Sequence, residues 1–308
     1  ATATSQIAAA DAAIGGKFYL LEPSLQEQYY YAKGLSLLKS GKTAEGAGYL
    51  AKMNDLGKMK VYTGKNGKEK VYYVGKAEAN KSGISGLKEE AYTLTIAPKA
   101  VNSINPVLEA SNKAAMSAYE AKRYAEAAPK FREVYDLLRA AGQENGQYLY
   151  YSGITYAMAQ DNAKAIDVYN ELINSGYTGV STSYTAKNKK SGAVEPLDKT
   201  TWDLYKKAGA AGDYTDFKTE TSKSVEQELY ETDAALLVEA NRYDEALAVI
   251  DKGLKKFPGN TKLSELQGSA YYKTGKTDQF VQNLKDQVAK NPSDKAAWYN
   301  LGVLSSKD

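Results

Sequence analysis

Residues 111–131 read SNKAAMSAYEAKRYAEAAPKF, and residues 230–250 read YETDAALLVEANRYDEALAVI. Laid over each other, both are a helical run, a tight turn and a second helical run. Residues 29–50 (YYYAKGLSLLKSGKTAEGAGYL), 149–169 (LYYSGITYAMAQDNAKAIDVY) and 264–284 (SELQGSAYYKTGKTDQFVQNL) repeat the design, and WYNLGVLSSKD begins it again at Trp298. One position of the first helix is always small: Gly34, Ala115, Gly153, Ala234, Gly268 and Gly302. A second small residue follows twelve positions later, at Gly46, Ala127, Ala165 and Ala246. One helical turn beyond stands a large apolar residue: Leu50, Phe131, Tyr169, Ile250 and Leu284.

Physical chemistry gives that spacing a meaning. Two antiparallel helices joined by a short turn approach closely only where their facing side chains are small. Bulky residues one turn away then fill the space beside the crossing. The order Trp298, Leu301, Gly302, with Asn291-Pro292 before it and Pro258 closing the repeat around Ala246, resembles the tetratricopeptide repeat of about 34 residues. Gly268, Tyr271 and Gly275 fall on the same schedule. Phe280 departs from the pattern, standing where Ala is expected, and predicts local re-spacing. Arg139 and Tyr177 replace the closing proline. The resemblance implies an all-α superhelix of paired helices. We place repeats at about 27–57, 108–141, 146–178, 227–260 and 261–294, with a partial one at 295–308, in a single domain over 1–308.

The intervals reveal a larger duplication. The small residues of the second helices, with Phe280 by position, lie 81, 38, 81 and 34 residues apart. Two insertions of similar size, about 58–105 and 179–225, therefore interrupt the array. Both open alike, as Tyr62-Thr63-Gly64-Lys65-Asn66 and Tyr184-Thr185-Ala186-Lys187-Asn188. A duplicated unit of repeat, insertion and repeat explains the intervals. Each insertion reads as a small β-hairpin: Met59–Thr63 with Lys70–Val74 around an Asn-Gly turn, and Val180–Lys187 with Ala193–Leu197. Asp198 is placed to cap a short helix carrying Trp202 and Tyr205. A helix is expected over Leu87–Ile96, with Pro98 and Pro106 punctuating the stretch after it.

Composition narrows the chemistry. The 308 residues contain no Cys and no His, 26 Tyr, and 40 Lys plus Arg against 37 Asp plus Glu. Disulfides, thiolate or histidine metal sites, Ser-His-Asp triads and the usual neutral-pH base are excluded. The near balance of charge gives no global argument for nucleic acid. No run approaches the roughly 18 apolar residues of a membrane span. Ser36-Leu37-Leu38-Lys39, Ser85-Gly86-Leu87-Lys88 and Lys273-Thr274-Gly275 match serine-enzyme motifs only piecemeal, without a Ser-Asp-Asn element. There is no phosphate loop, dinucleotide fingerprint or calcium loop. We therefore expect no enzyme and no cofactor. Charge is uneven: Lys52–Lys99 holds ten Lys against five acids, and Glu226–Asp251 eight acids against Arg242. Solvated helix faces explain most of this.

Carried over from the family, the groove positions imply Tyr31, Asn112, Tyr119, Tyr150, Glu231, Tyr272 and Tyr299 as partner-binding candidates, with Leu35, Met116 and Val303 beside them. A two-carboxylate clamp is not implied, because Tyr150-Tyr151 stand where cations belong. Tyrosine supplies rigid contact area at low entropic cost. The expected function is a non-catalytic scaffold that binds a protein or peptide segment in a Tyr-lined groove. The alternative is a glycan or cell-wall binding module using the groove aromatics and the insertions. Chain packing and groove exposure compete for each ring. The start at Ala1 and the Tyr-, Thr-, Ser- and Lys-rich composition lead us to expect an exported bacterial protein with its signal peptide removed, a cytoplasmic one staying open. The oligomeric state is left open. The interface-type Trp298 predicts further repeats after Asp308.

Overall fold

The computed structural model describes residues 3–143 and 145–305. They form paired helices interrupted by two small antiparallel sheets, in two compact units, 1–168 and 169–308.

The first unit contains α1 (Ala3–Ile14), α2 (Pro23–Lys39) and α3 (Thr43–Lys58), then β1 (Val61–Asn66), β2 (Glu69–Val74), α4 (Lys76–Lys81) and β3 (Lys88–Glu90). Helices α5 (Ala97–Glu120), α6 (Tyr124–Ala140) and α7 (Gly146–Met158) follow, and α8 (Asn162–Ser175) carries the boundary between units. An apolar cluster joins α2, α3, α5 and α6 through Leu38, Leu50, Met53, Ile104 and Leu137, all buried. At the α2–α3 crossing, a Cβ on Gly46 would stand 2.8 Å from the Gly34 carbonyl oxygen and 2.9 Å from the Leu38 nitrogen. Both neighbours are backbone, so only glycine fits. Ala115 and Ala127 meet in the corresponding place beside Phe131. The Asn54 amide of α3 donates to the carbonyls of Arg139 and Ala140 at 2.9 and 2.6 Å, satisfying the end of α6.

The second unit contains β4 (Thr182–Asn188), β5 (Val194–Leu197), α9 (Lys199–Ala208) and β6 (Tyr214–Thr221), then α10 (Glu226–Glu239), α11 (Tyr243–Lys256), α12 (Thr261–Lys273), α13 (Thr277–Lys290) and α14 (Lys295–Ser305). Residues 306–308 of the expected partial repeat lie outside the described residues. Ala234 and Ala246 are fully buried, with Ile250 beside them.

One local device recurs. Gly41, Lys122, Gln160, Asn241 and Gly275, the residues between the helices of five pairs, have φ of +78°, +59°, +60°, +58° and +69°. The next residue's amide returns to the first helix, as in Lys42 to Leu37, Arg123 to Ala118, Asp161 to Tyr156, Arg242 to Leu237 and Lys276 to Tyr271, at 2.8–3.0 Å. This left-handed C-terminal cap satisfies carbonyls that a helix end leaves free.

Both insertions hold the expected strand pairs, and each gains a third strand. The orders are β2-β1-β3 and β5-β4-β6. A lone hairpin is marginal in water, and a third strand supplies missing pairing. The sequence pattern misses β3 because Lys88-Glu89-Glu90 is wholly charged. It misses β6 because a bulge at Asp216, with φ of +50°, breaks the register against β4.

The helix expected over Leu87–Ile96 is not formed: the segment is β3 followed by irregular chain. Tertiary contacts hold it extended. Leu87 covers Gly64 and Leu94 covers Gly57, each too close for a Cβ. The buried Glu27 carboxylate of α2 accepts from Tyr92 Oη (2.8 Å), Thr95 N (2.9 Å), Thr95 Oγ1 (3.1 Å) and Ile96 N (2.7 Å). Burial alone would raise its pKa, but these donors outweigh burial and hold it below the usual value. Glu27 thereby fixes the backbone that leads into α5. Pro106, expected as punctuation, lies inside α5. An internal proline costs about 3 kcal/mol, and the full burial of Ala100 and Ile104 in the turns before it helps to offset this.

Asp198 caps α9 as expected, accepting from Thr201 N at 2.9 Å. Trp202 of that helix is buried, donates to the Thr185 carbonyl at 3.0 Å, and meets Tyr184 and Phe217 edge-on at 5.5 Å.

Candidate partner-binding surface

The surface develops where the repeat rule is broken. In α13, Phe280 occupies the position that is Gly or Ala in the other second helices. Its ring turns instead against Tyr272, 5.5 Å between centroids. Asn283 fills the crossing: a Cβ on Gly268 would stand 2.6 Å from its Oδ1. Its amide donates to Ser264 O and Gln267 Oε1, both at 3.0 Å, and Gln287 donates to its Oδ1 at 2.6 Å. The expected re-spacing is therefore a polar crossing with a displaced ring.

That displacement opens a cleft of about 300 Å³, lined by Glu265, Ser269 and Tyr272 of α12, Phe280 and Gln287 of α13, and Asn300 of α14. Caps fix both flanking helices. Asn260 accepts from Leu263 N at 2.9 Å at the start of α12, and Asp294 accepts from Ala297 N at 3.0 Å before α14. Tyr272 is 63 % exposed, and Tyr299, beside Asn300, is 72 % exposed. The floor is apolar, formed by Leu284 and Ala297. Hydroxyl, amide and carboxylate groups rim an apolar floor, which suits a peptide with one anchoring side chain.

The other candidates are placed differently. Tyr31 packs with Leu35 on the α2–α3 cluster. Glu231 is occupied by Asn260 at 2.6 Å, Gln227 at 2.9 Å and Lys262 at 3.5 Å. It thereby steadies the residue that caps α12. Tyr119 is partly exposed, and its ring lies against Tyr124 and Phe131. Asn112, on the same helix, is half-buried, and its Oδ1 has no hydrogen-bond partner among the described residues. Tyr150 is half-buried, 6.5 Å from Tyr151. Of the seven, only Tyr272 lines the cleft, with Tyr299 adjoining it.

Sequence reasoning named no cleft at the first insertion, where a larger one of about 950 Å³ opens between the Phe18–Leu20 turn, α3 and the first sheet. Tyr62, Tyr72 and Tyr73 line it, with Lys52, Lys60 and Lys76. The available signal was the lysine excess of this insertion combined with its tyrosines. Among the described residues no group of three or more acids is placed to hold a metal ion, and no helix is long and apolar enough to cross a membrane.

Comparison with known proteins places the repeats in a family. Tetratricopeptide-repeat models match residues 112–177 and 237–302. No curated protein matches the sequence. Among solved structures, MamA (41-end) from Desulfovibrio magneticus RS-1 is similar at 14 % identity and a TM-score of 0.38, over 65 % of this chain and 84 % of that one. YrrB, described as a TPR protein with an unusual peptide-binding site, is similar at 16 % identity and a TM-score of 0.37, over 66 % and 82 %. Neither likeness is close enough to carry a role over to this chain. The aligned small residues, the shared left-handed turn and the two matched stretches agree: residues 112–177 and 237–302 are tetratricopeptide repeats.

Proposed function

We propose that the protein is a non-catalytic interaction scaffold that holds a segment of a protein partner across the α12–α14 face. The observation that carries this reading is the pairing of two well-exposed tyrosines, Tyr272 and Tyr299, with an apolar-floored cleft between capped helices. Large aromatic side chains left in water on a rigid surface are the usual anchors of an interface. Glu265 on the rim favours a segment with a cationic or amide-rich flank.

The reading is tested with a photo-crosslinking side chain placed at Tyr272, at Tyr299, or at the exposed Lys285 of α13, in source-cell extract. One protein crosslinked from the first two positions and not from Lys285, and lost on Tyr272→Ala/Tyr299→Ala, is the expected result. Equal crosslinking from Lys285, or none from either tyrosine, overturns it.

A further inference from the structure

The cleft at the first insertion is physically unlike the α12–α14 face. Its walls are phenol rings, and Tyr19 stacks on Tyr73 with centroids 5.6 Å apart and planes 15° apart. Between the rings stand ionic groups of both signs. Glu78 is paired with Lys81 at 2.9 Å. Lys60 and Lys76 have no carboxylate partner among the described residues. The surrounding segment Lys52–Lys99 carries ten Lys against five acids. The cleft is thus net basic, with Asp55 retained as an acceptor.

The duplicated insertion supplies a second, independent observation. Tyr62 and Tyr184 hold the same place in the repeated pentapeptide. In the second insertion the ring of Tyr184 is covered by Trp202 from the same unit, and Lys206 lies 4.3 Å from the indole centroid. In the first insertion Tyr62 lines the open cleft instead. One copy covers its tyrosine ring with its own planar partner; the other ties only the hydroxyl, to Glu89 at 2.9 Å, and leaves the ring lining the cleft.

We infer that this cleft binds a short acidic oligosaccharide, sugar faces against Tyr62 and Tyr73 and sugar carboxylates at Lys60 and Lys76. A volume of about 950 Å³ lies at the upper end for small-ligand sites, roughly 300–1,000 Å³, and accommodates several sugar units. The C–H faces of a pyranose are weakly positive and meet the electron-rich faces of phenol rings. Its hydroxyls donate and accept all round, matching a lining that mixes phenols, ammoniums and the Asp55 carboxylate. A DNA strand brings one phosphate per nucleotide, which Asp55 repels, and no sugar hydroxyl along its length to give it. An acidic peptide satisfies the lysines but offers few hydroxyls to Asp55 and the phenols. This inference stands apart from the scaffold reading, since it uses other residues of the other unit.

Calorimetric titration of the full chain with tetragalacturonate, neutral cellotetraose, a ten-residue oligothymidylate and hexaglutamate tests it. Tetragalacturonate is expected to bind at least tenfold more tightly than the other three, and less tightly as salt rises. Tyr62→Ala and Lys60→Glu/Lys76→Glu are each expected to weaken binding at least tenfold, with Lys252→Glu, an exposed change in the other unit, leaving it unchanged. The two lysines are exposed, so the charge-reversal variant keeps the fold and decides the matter if Tyr62→Ala does not. No binding of tetragalacturonate, equal affinity in the charge-reversal variant, or tighter binding of any of the other three probes overturns the inference.

Discussion

At the scale of single residues, the molecule treats its buried carboxylates in opposite ways. Glu27 and Glu231 are each surrounded by donors, and both are held below the ordinary carboxylate pKa even though burial opposes this. Asp233 on α10 is fully buried, and neither of its oxygens has a hydrogen-bond partner among the described residues. Burial pushes its pKa up to about 7; Arg242 pulls it down and Glu245 adds to the rise. The sign follows from linkage. The folded state holds this proton more tightly than the unfolded chain, so Asp233 costs nothing below about pH 4 and its full penalty above about pH 7. Asp233→Asn is expected to raise stability at pH 8 by up to about 4 kcal/mol, and by almost nothing at pH 4. Urea midpoints of both proteins across that range check it. A parallel shift at every pH contradicts it.

At the scale of elements, the helix pair is the working unit, and its turn is kept in geometry but not in residue type. Gly41 and Gly275 adopt the left-handed conformation freely, whereas Lys122, Gln160 and Asn241 adopt it with a side chain. A Cβ in that region costs roughly 1–2 kcal/mol, somewhat less for Asn. Gln160→Gly is therefore expected to stabilise by about 1 kcal/mol, and Gly41→Ala to destabilise by a similar amount. Thermal melts of the two variants against the parent measure this, and the same sign for both refutes it. The crossing beside the turn is less tolerant, because the atoms facing Gly46 are backbone and have nowhere to move.

At the scale of the whole molecule, duplication is visible in both insertions and in the turns. The turn residues Gly41, Lys122, Gln160, Asn241 and Gly275 are 81, 38, 81 and 34 apart, the same intervals as the small residues after them. The two sheets share one topology, with the strand of the repeated pentapeptide at the centre. They differ in what lies on them: Trp202 packs on the second, against Tyr184 and Phe217. Trp202 is buried at 7 % exposure, and Trp298 is 53 % exposed with its Nε1 donating to Pro292 O at 3.0 Å. Acrylamide is expected to quench about half of the tryptophan emission readily and the rest poorly, with Trp202→Phe leaving only the readily quenched part. Uniform quenching in the parent chain contradicts this placement.

The residues alone determined the paired helices, their register, the two interruptions and the family. Each of these rests on short-range spacing: small residues twelve apart, a bulky one four further on, and a repeated pentapeptide. Tertiary structure decided the rest, because exposure and partnership depend on residues distant in sequence. Glu27 holds 92–96 extended from 65 to 69 positions away, overriding the local preference that reads as helix. Tyr31 and Tyr299 occupy equivalent positions, each three residues before the small residue of its helix, yet one packs on a core and the other stands in water. Phe280 was legible as an exception, but that it opens a cleft depends entirely on where its displaced ring comes to rest.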